Sequence, residues 1–310
     1  MPTFHVESSI DINAPAERVF DTVADFGTWT TWSPWLCADP DANVSVSDDS
    51  HSVGSLYAWQ GDVVGQGEME HIRLDRPNKI DEEIRFLKPF KSQSAVNFTL
   101  KPSTDGTNIT WNMDSSLPWF LFWMKSSMVA YIGMDYARGL KMLKELVETG
   151  QVLSKTEILG VEETPARSVV GRSDSSEIGT IGDAMTSVFA EVQTKLDQAE
   201  VHRCGEAISI YHASSDLKQN RFDFTSGYVV PPGAKPPAGL VSRELPARKS
   251  LHLCHTGSYD NLGNAWSAAY QYARYKKVKI AKADSFEIYR NDPSETPVAE
   301  LVTDLYLPIR

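Results

Sequence analysis

The last strand-like stretch of the chain, ELVTDLYLP at 300–308, sets two carboxylates and a phenol at two- and four-residue steps. Alternate residues of a strand share a face, so Glu300, Val302, Asp304 and Tyr306 line up. Leu301, Thr303, Leu305 and Leu307 form the opposite face, largely apolar and suited to meeting helices. FEIY at 286–289 reads as a neighbouring strand and puts Glu287 and Tyr289 on one face. Tyrosine beside a carboxylate suits an organic cation, because aromatic faces attract the charge and the acid neutralises it. Trp266 and Tyr259, in a helical stretch and the turn before it, are further candidates for aromatic walls. Spacing alone also fits solvated strand carboxylates, an interfacial tyrosine and aromatics that pack a core or a hinge.

Other chemistry is thinly represented. His252, Cys254 and His255 in HLCH look like metal ligands, but alternation separates 255 from 252 and 254, and no second ligand pair follows. There is no GxSxG, no recognisable Ser/His/Asp arrangement and no phosphate loop. The Gly-containing SVGSLYAWQGDVVGQG lacks the following helix that a nucleotide site needs. No cofactor and no metal are implied. In the first half, Trp29, Trp32 and Trp35 crowd one loop, and Trp119, Phe120, Phe122 and Trp123 crowd the approach to a long helix. They suit either an apolar lid over a hydrophobic ligand or ordinary core packing.

These residues need elements to hold them. The chain has 310 residues, more than one core usually holds, so two domains are expected. Its net charge of −11 argues against a nucleic-acid partner and against docking on anionic membranes, and suits the attraction of cations. Three cysteines without a CxxC pair suit a reduced, cytoplasmic compartment. The first residues lack the pattern of a signal peptide, and the apolar run 117–124 is too short to span a bilayer.

The first segment opens with an alternating strand, FHVESSIDI. A short helix follows, with Pro15 in its first turn and Val19, Phe20 and Val23 as its apolar face. Several strands come next, with Asp105–Gly106 as a hairpin turn between them. A helix from about 120 to 148 closes the segment, stopped by Gly150. Residues 150–155 read as a linker.

The second segment repeats itself. PARSVV at 165–170 returns as PARKSL, and IGDAMTSVF at 181–189 as LGNAWSAAY, both displaced by 81 positions. That displacement sets Met185 on Trp266 and Phe189 on Tyr270. ISIY at 208–211 returns as FEIY, and DFTSGYVV as LVTDLYLP, at a displacement of 78. Tyr228 then falls on Tyr306, and Ser226 on Asp304. Each copy, about 156–233 and 240–310, reads strand, helix, strand, strand. Such a short copy cannot bury both faces alone, so the two should share one sheet with a groove at their junction.

SSIDINAPAERVFDTVADFGTWTTWSPW together with YIGMDYARGLKMLKELVE resembles the SRPBCC superfamily, the START-like or polyketide-cyclase-like helix-grip proteins. Residues 156–310 resemble the GyrI-like small-molecule-binding domain, which is also the effector-binding half of multidrug-responsive regulators. The residues that carry this are HTGSYDNLGNAWSAAYQY, FEIYRNDPSETP and ELVTDLYLPI. The resemblance implies an α+β chain: a helix-grip antiparallel sheet wrapped on a long C-terminal helix over 1–150, then a pseudo-twofold βαββ domain over 156–310. It implies a groove for bulky, often cationic aromatic compounds, with an acid on the last strand as cation partner. Asp stands at 304 where the family more often has Glu. The helix-turn-helix of the regulators is replaced by the helix-grip domain, so transcriptional regulation is not carried over.

The expectation is a small-molecule binding protein for sensing or sequestration. Its ligand is a bulky hydrophobic or cationic organic compound, and its partners include neither nucleic acid nor membrane. Tyr228 and Tyr306 would line the groove twice, and Asp304 alone would carry the charge, since a monocation needs one acid. The alternative is an enzyme: a hydrolase of reactive xenobiotics in the second domain, or a cyclase- or dehydratase-like activity in the first. Either needs a carboxylate of raised pKa in a dry pocket.

Overall fold

The computed structural model describes residues 3–117, 119–177, 179–203, 205–213 and 221–310, with the side chain of Leu121 left out. Cys204 lies outside the described residues. The chain forms two units, Met1–Leu153 and Ser154–Arg310.

In the first unit, β1 (Thr3–Ile12) buries Phe4, Val6 and Ile12 on one face by simple alternation. Pro15 caps α1 (Ala16–Ala24), whose Val19, Phe20 and Val23 enter the core. A short α2 (Trp29–Trp32) follows. Then come β2 (Asn43–Val46), β3 (Leu56–Gly61), β4 (Gly65–Asp75), β5 (Lys79–Lys88), β6 (Ser92–Ser103) and β7 (Gly106–Ser116). They meander, and β1 adds beside β7 to complete the antiparallel order β1-β7-β6-β5-β4-β3-β2. The turn at Asp105–Gly106 joins β6 to β7.

A 3₁₀ segment (Trp119–Met124) leads into α3 (Lys125–Thr149), which ends on Gly150 in the left-handed conformation at φ +88°. The sheet grips the C-terminal half of α3, where Tyr136, Gly139, Leu140, Met142, Leu143 and Val147 are buried. Gly139 sits so close that a Cβ there would lie 2.9 Å from the Trp111 ring. The helical repeat that includes Tyr131 does not continue inward: Tyr131 and Met134 are exposed.

The second unit contains β8 (Lys155–Thr164), β9 (Arg167–Glu177), α4 (Ile181–Gln198), β10 (Ala207–Tyr211) and β11 (Arg221–Val230). Its second half contains β12 (Val241–Leu245), β13 (Arg248–Thr256), α5 (Gly263–Tyr275), β14 (Ser285–Tyr289) and β15 (Val302–Pro308). All eight strands make one sheet in the order β12-β9-β11-β10-β14-β15-β13-β8. The order is a palindrome about the β10–β14 ladder. The outer strands are exchanged: β8 of the first copy pairs with β13 of the second, and β12 of the second pairs with β9 of the first. Each half therefore supplies the other's edge, and the pair folds as one body. Both helices pack on one face, α4 through Met185, Val188, Val192 and Leu196, and α5 through Ala265, Ala268, Ala269 and Ala273.

Candidate ligand site

Glu287 sits on β14 beside the pseudo-twofold axis, fully buried, with its carboxylate turned toward the helices. The Trp266 indole of α5 donates to Oε1 at 2.5 Å, and the Tyr289 hydroxyl donates to Oε2 at 2.7 Å. Tyr211 also hydrogen-bonds toward it. Burial pushes the Glu287 carboxyl above its ordinary range, and these donors only partly oppose that. All three donors are neutral, and no Lys, Arg or His pairs with Glu287 among the described residues. The hydrogen bonds are thus made while the charge stays uncompensated.

Aromatic side chains surround the acid. Tyr211 meets Trp266 edge-on at 5.2 Å, Tyr259 meets Tyr289 at 5.5 Å, and Phe189 of α4 meets Tyr289 at 5.6 Å. Phe189 also stands 5.9 Å from Tyr228, whose hydroxyl donates to Gln193 of α4. The Met185 sulfur lies 3.9 Å from the hydroxyls of both Tyr211 and Tyr289. Burial raises the Tyr259 hydroxyl to about 12 and those of Tyr211 and Tyr289 well above their usual value, so all three remain neutral donors.

The repeat relates these residues in pairs. Ser209 and Glu287 are direct partners across the β10–β14 ladder, as are Ala207 with Tyr289 and Tyr211 with Ser285. Ser209 Oγ lies 2.7 Å from Ser226 Oγ, so both serines face the helices with the acid. Tyr211 corresponds to Tyr289, Met185 to Trp266, and Ser209 to Glu287. One half carries an acid and an indole where the other carries a hydroxyl and a thioether.

Asp304 and Tyr306 are elsewhere, and this corrects the expected groove. Ser226 pairs with Ser209, but Glu287 pairs with Leu305 rather than Asp304. The last strands of the two copies are therefore related by 79 positions, not 78, and a one-residue slip turns every side chain to the other face. On that other face Asp304 is nearly buried and already paired. Its Oδ2 accepts from Arg290 Nε at 2.5 Å, and its Oδ1 lies 3.1 Å from His252 Nε2. Arg290 continues to Glu206 at 2.8 Å, and His252 faces Glu162 at 3.3 Å. Burial raises the Asp304 carboxyl, but His252 and Arg290 outweigh it, leaving the group below its ordinary range. The Tyr306 ring is sandwiched between His252 at 4.5 Å and Phe286 at 4.8 Å. Neither residue is free to receive a ligand charge. Glu300 is exposed in a 3₁₀ turn ahead of β15, off the strand altogether.

The other face also bears a concavity of about 280 Å³ lined by Leu245, Pro246, Arg248, Lys282, Asp284 and Phe286 among others. Its lining mixes both charges without a buried acid, so chemistry rather than volume marks the site at Glu287.

In the first unit the space between sheet and α3 is filled by rings. Trp111 stacks on Tyr136 at 4.0 Å, and Trp29, Trp32, Phe26, Tyr57 and Phe98 pack around them. Trp32 is wholly buried, so it is core and not lid. Trp35 is half-buried and donates to Asp135 Oδ2 at 2.9 Å. Trp119 and Trp123 point outward, both strongly exposed. A buried pair unsignalled by the sequence reading lies in this core: His71 Nδ1 is 3.1 Å from Glu82 Oε1, and His71 Nε2 donates to the Ala24 carbonyl at 2.8 Å.

The chain is thus two antiparallel domains, the first gripping a helix and the second closing two helices over a symmetric sheet. The family model described as polyketide cyclase / dehydrase and lipid transport matches residues 3–148, and the GyrI-like small molecule binding domain matches residues 157–310. No curated protein matches the chain. Among solved structures, a protein from Chromobacterium violaceum shares 18% identity over 46% of this chain and 97% of its own, with a TM-score of 0.36. The EcmrR C-terminal domain shares 17% over 51% of this chain and 98% of its own, with a TM-score of 0.41. EcmrR in its complex with DNA shares 14% over 62% and 72%, with a TM-score of 0.43. Among the described residues, no helix is long and apolar enough to cross a membrane.

Proposed function

We propose that the second unit binds a bulky organic monocation over Glu287, among the side chains that α4 and α5 bring there, for sensing or sequestration. One observation carries the reading: a fully buried carboxylate held only by neutral donors and ringed by Trp266, Tyr289, Tyr211, Tyr259 and Phe189. A cation supplies the missing charge, and ring faces replace its water. Tyr289 and Trp266 lie over the acid, so binding swings them from carboxylate donors to walls of the site. The asymmetry of Ser209 and Glu287 suits a ligand with one positive charge.

Glu287 beside the Tyr289 hydroxyl also fits the enzyme alternative, since a carboxyl of raised pKa is what a general acid or base requires. Thermal-shift titration with tetraphenylphosphonium against neutral triphenylphosphine oxide tests the binding reading. Stabilisation by the cation that disappears in Glu287→Gln supports it. Equal stabilisation by both compounds in wild type and variant overturns it. Turnover of a reactive compound lost in Glu287→Gln transfers the assignment to the enzyme.

A further inference from the structure

Two segments leave the same end of the first sheet. Phe86 pairs with Ser92 and β5 runs on to Lys88, so residues 89–91 turn the chain from β5 into β6. Ala95 pairs with Asp114 and Ser94 Oγ meets Ser115 Oγ, so the chain beyond β7 departs beside that turn. These segments expose Phe90, Trp119, Phe120, Phe122 and Trp123, each between 57% and 82% accessible. Tyr131 and Met134 extend the apolar surface along α3. A groove of about 470 Å³ runs beside it, lined by Phe122, Trp123, Lys125, Ser126 and Val129. Five exposed aromatic rings at one end of a domain exceed the scattered apolar residues of an ordinary surface.

The charge carried by the two segments themselves is of one sign. Residues 87–91 and 119–134 contain Lys88, Lys91 and Lys125, all exposed, and no Asp or Glu, within a chain of net charge −11. On the adjoining strands Glu68, Glu70 and Glu83 converge on Arg85 at 2.7–2.8 Å, and Glu7 and Asp114 face His5 at 3.4 and 2.8 Å.

We propose that this end of the helix-grip domain docks peripherally on an anionic lipid bilayer. Trp and Phe rings would enter the headgroup–acyl boundary while the three lysines meet lipid phosphates. With charges screened over about 8 Å at physiological salt, the three lysines of these two segments, rather than the net charge of the whole chain, act on a surface they touch. That reverses, for this one surface, the expectation drawn from net charge. A twofold contact between copies fits less well, because it would set the lysines of one copy against those of the other. Docking of this kind is reversible and would place the domain where hydrophobic compounds concentrate.

The test is co-sedimentation of the full chain with phosphatidylcholine vesicles, with and without a third of phosphatidylglycerol. Partitioning on the order of tenfold stronger to the anionic vesicles is expected, falling with added salt. Trp119→Ala/Phe122→Ala/Trp123→Ala should abolish it. So should Lys88→Glu/Lys91→Glu/Lys125→Glu, which touches only exposed side chains and leaves the melting temperature unchanged. Failure to sediment with either vesicle, or sedimentation that survives both variants, overturns the proposal. So does a concentration-dependent dimer that the aromatic variant dissolves, which would make a second copy the occupant.

Discussion

Ser209 and Glu287 face each other across the ladder at the centre of the second sheet, the same position in two copies of one repeat. The pair puts an acid on one side of the pseudo-twofold axis and a hydroxyl on the other, without a second charge. Converting Glu287 to Gln removes the charge and leaves most of the volume. Affinity for an organic cation should fall roughly ten- to a hundredfold, as for loss of a charge-assisted contact, with neutral ligands unaffected. Isothermal titration with the two phosphorus compounds above measures this.

The same substitution should not destabilise the ligand-free protein at neutral pH. The Glu287 carboxyl is raised above its ordinary 4.5, so the folded state holds this proton more tightly than the unfolded chain. Its contribution is therefore lost as pH rises from 4.5 through the folded value. Glu287→Gln should flatten that limb of the stability–pH curve and melt at or above the wild-type temperature at pH 7. A clearly lower melting temperature would mean that the ionised carboxylate is a net structural asset.

Asp304→Asn should behave in the opposite way. The residue anchors Arg290 and His252, so the variant should lose about 1–3 kcal/mol of stability while keeping its preference for cationic ligands. Urea unfolding and cation titration on the same variant check both halves.

The Asp304–His252 contact also sets a pH window. Asp304 is lowered from 3.8, so its share of stability is present above 3.8 and is lost as pH falls through the folded value. Burial pulls His252 down, but Asp304 and Glu162 outweigh it and raise the ring above 6.5. Its share is present below 6.5 and is lost as pH rises through the folded value. In His252→Gln the share of the decline that begins above 6.5 should disappear, while that of Glu287 stays. Thermal melts between mildly acid and mildly alkaline pH follow the effect.

Gly139→Ala tests the grip on α3. The added Cβ would meet the Trp111 ring at 2.9 Å and the Pro34 ring at 3.2 Å. Overpacking of this kind costs about 1–3 kcal/mol and should outweigh the helix propensity gained by alanine. Denaturant unfolding of the variant, followed by tryptophan fluorescence, reports the change.

Much of this architecture was legible along the chain. Alternation in β1, the apolar face Val19–Phe20–Val23, Gly150 as helix stop and the 81-residue displacement all reflect local periodicity, which survives folding unchanged. The site was only half legible. Glu287, Tyr289, Trp266, Tyr259 and Tyr228 do converge on the helix-covered face, but Asp304 and Tyr306 do not. The identities Thr225/Thr303 and Tyr228/Tyr306 favoured a register one residue off, and only the ladder partners of Ser226 and Leu305 reveal it. Tyr211, Met185 and Phe189 were visible in the repeat as counterparts of Tyr289, Trp266 and Tyr270, a signal that could have placed them in the site. Nothing local marked His71 and Glu82, which meet only because β4 pairs with β5.

The sequence by itself determined two α+β domains and a duplicated second domain. Those features depend on period and composition, which neighbouring residues establish alone. The tertiary structure decided which acid is unpaired. A strand has two faces, and the choice between them depends on pairing with strands far along the chain, where Arg290 and His252 pair with Asp304 while Glu287 keeps only neutral donors.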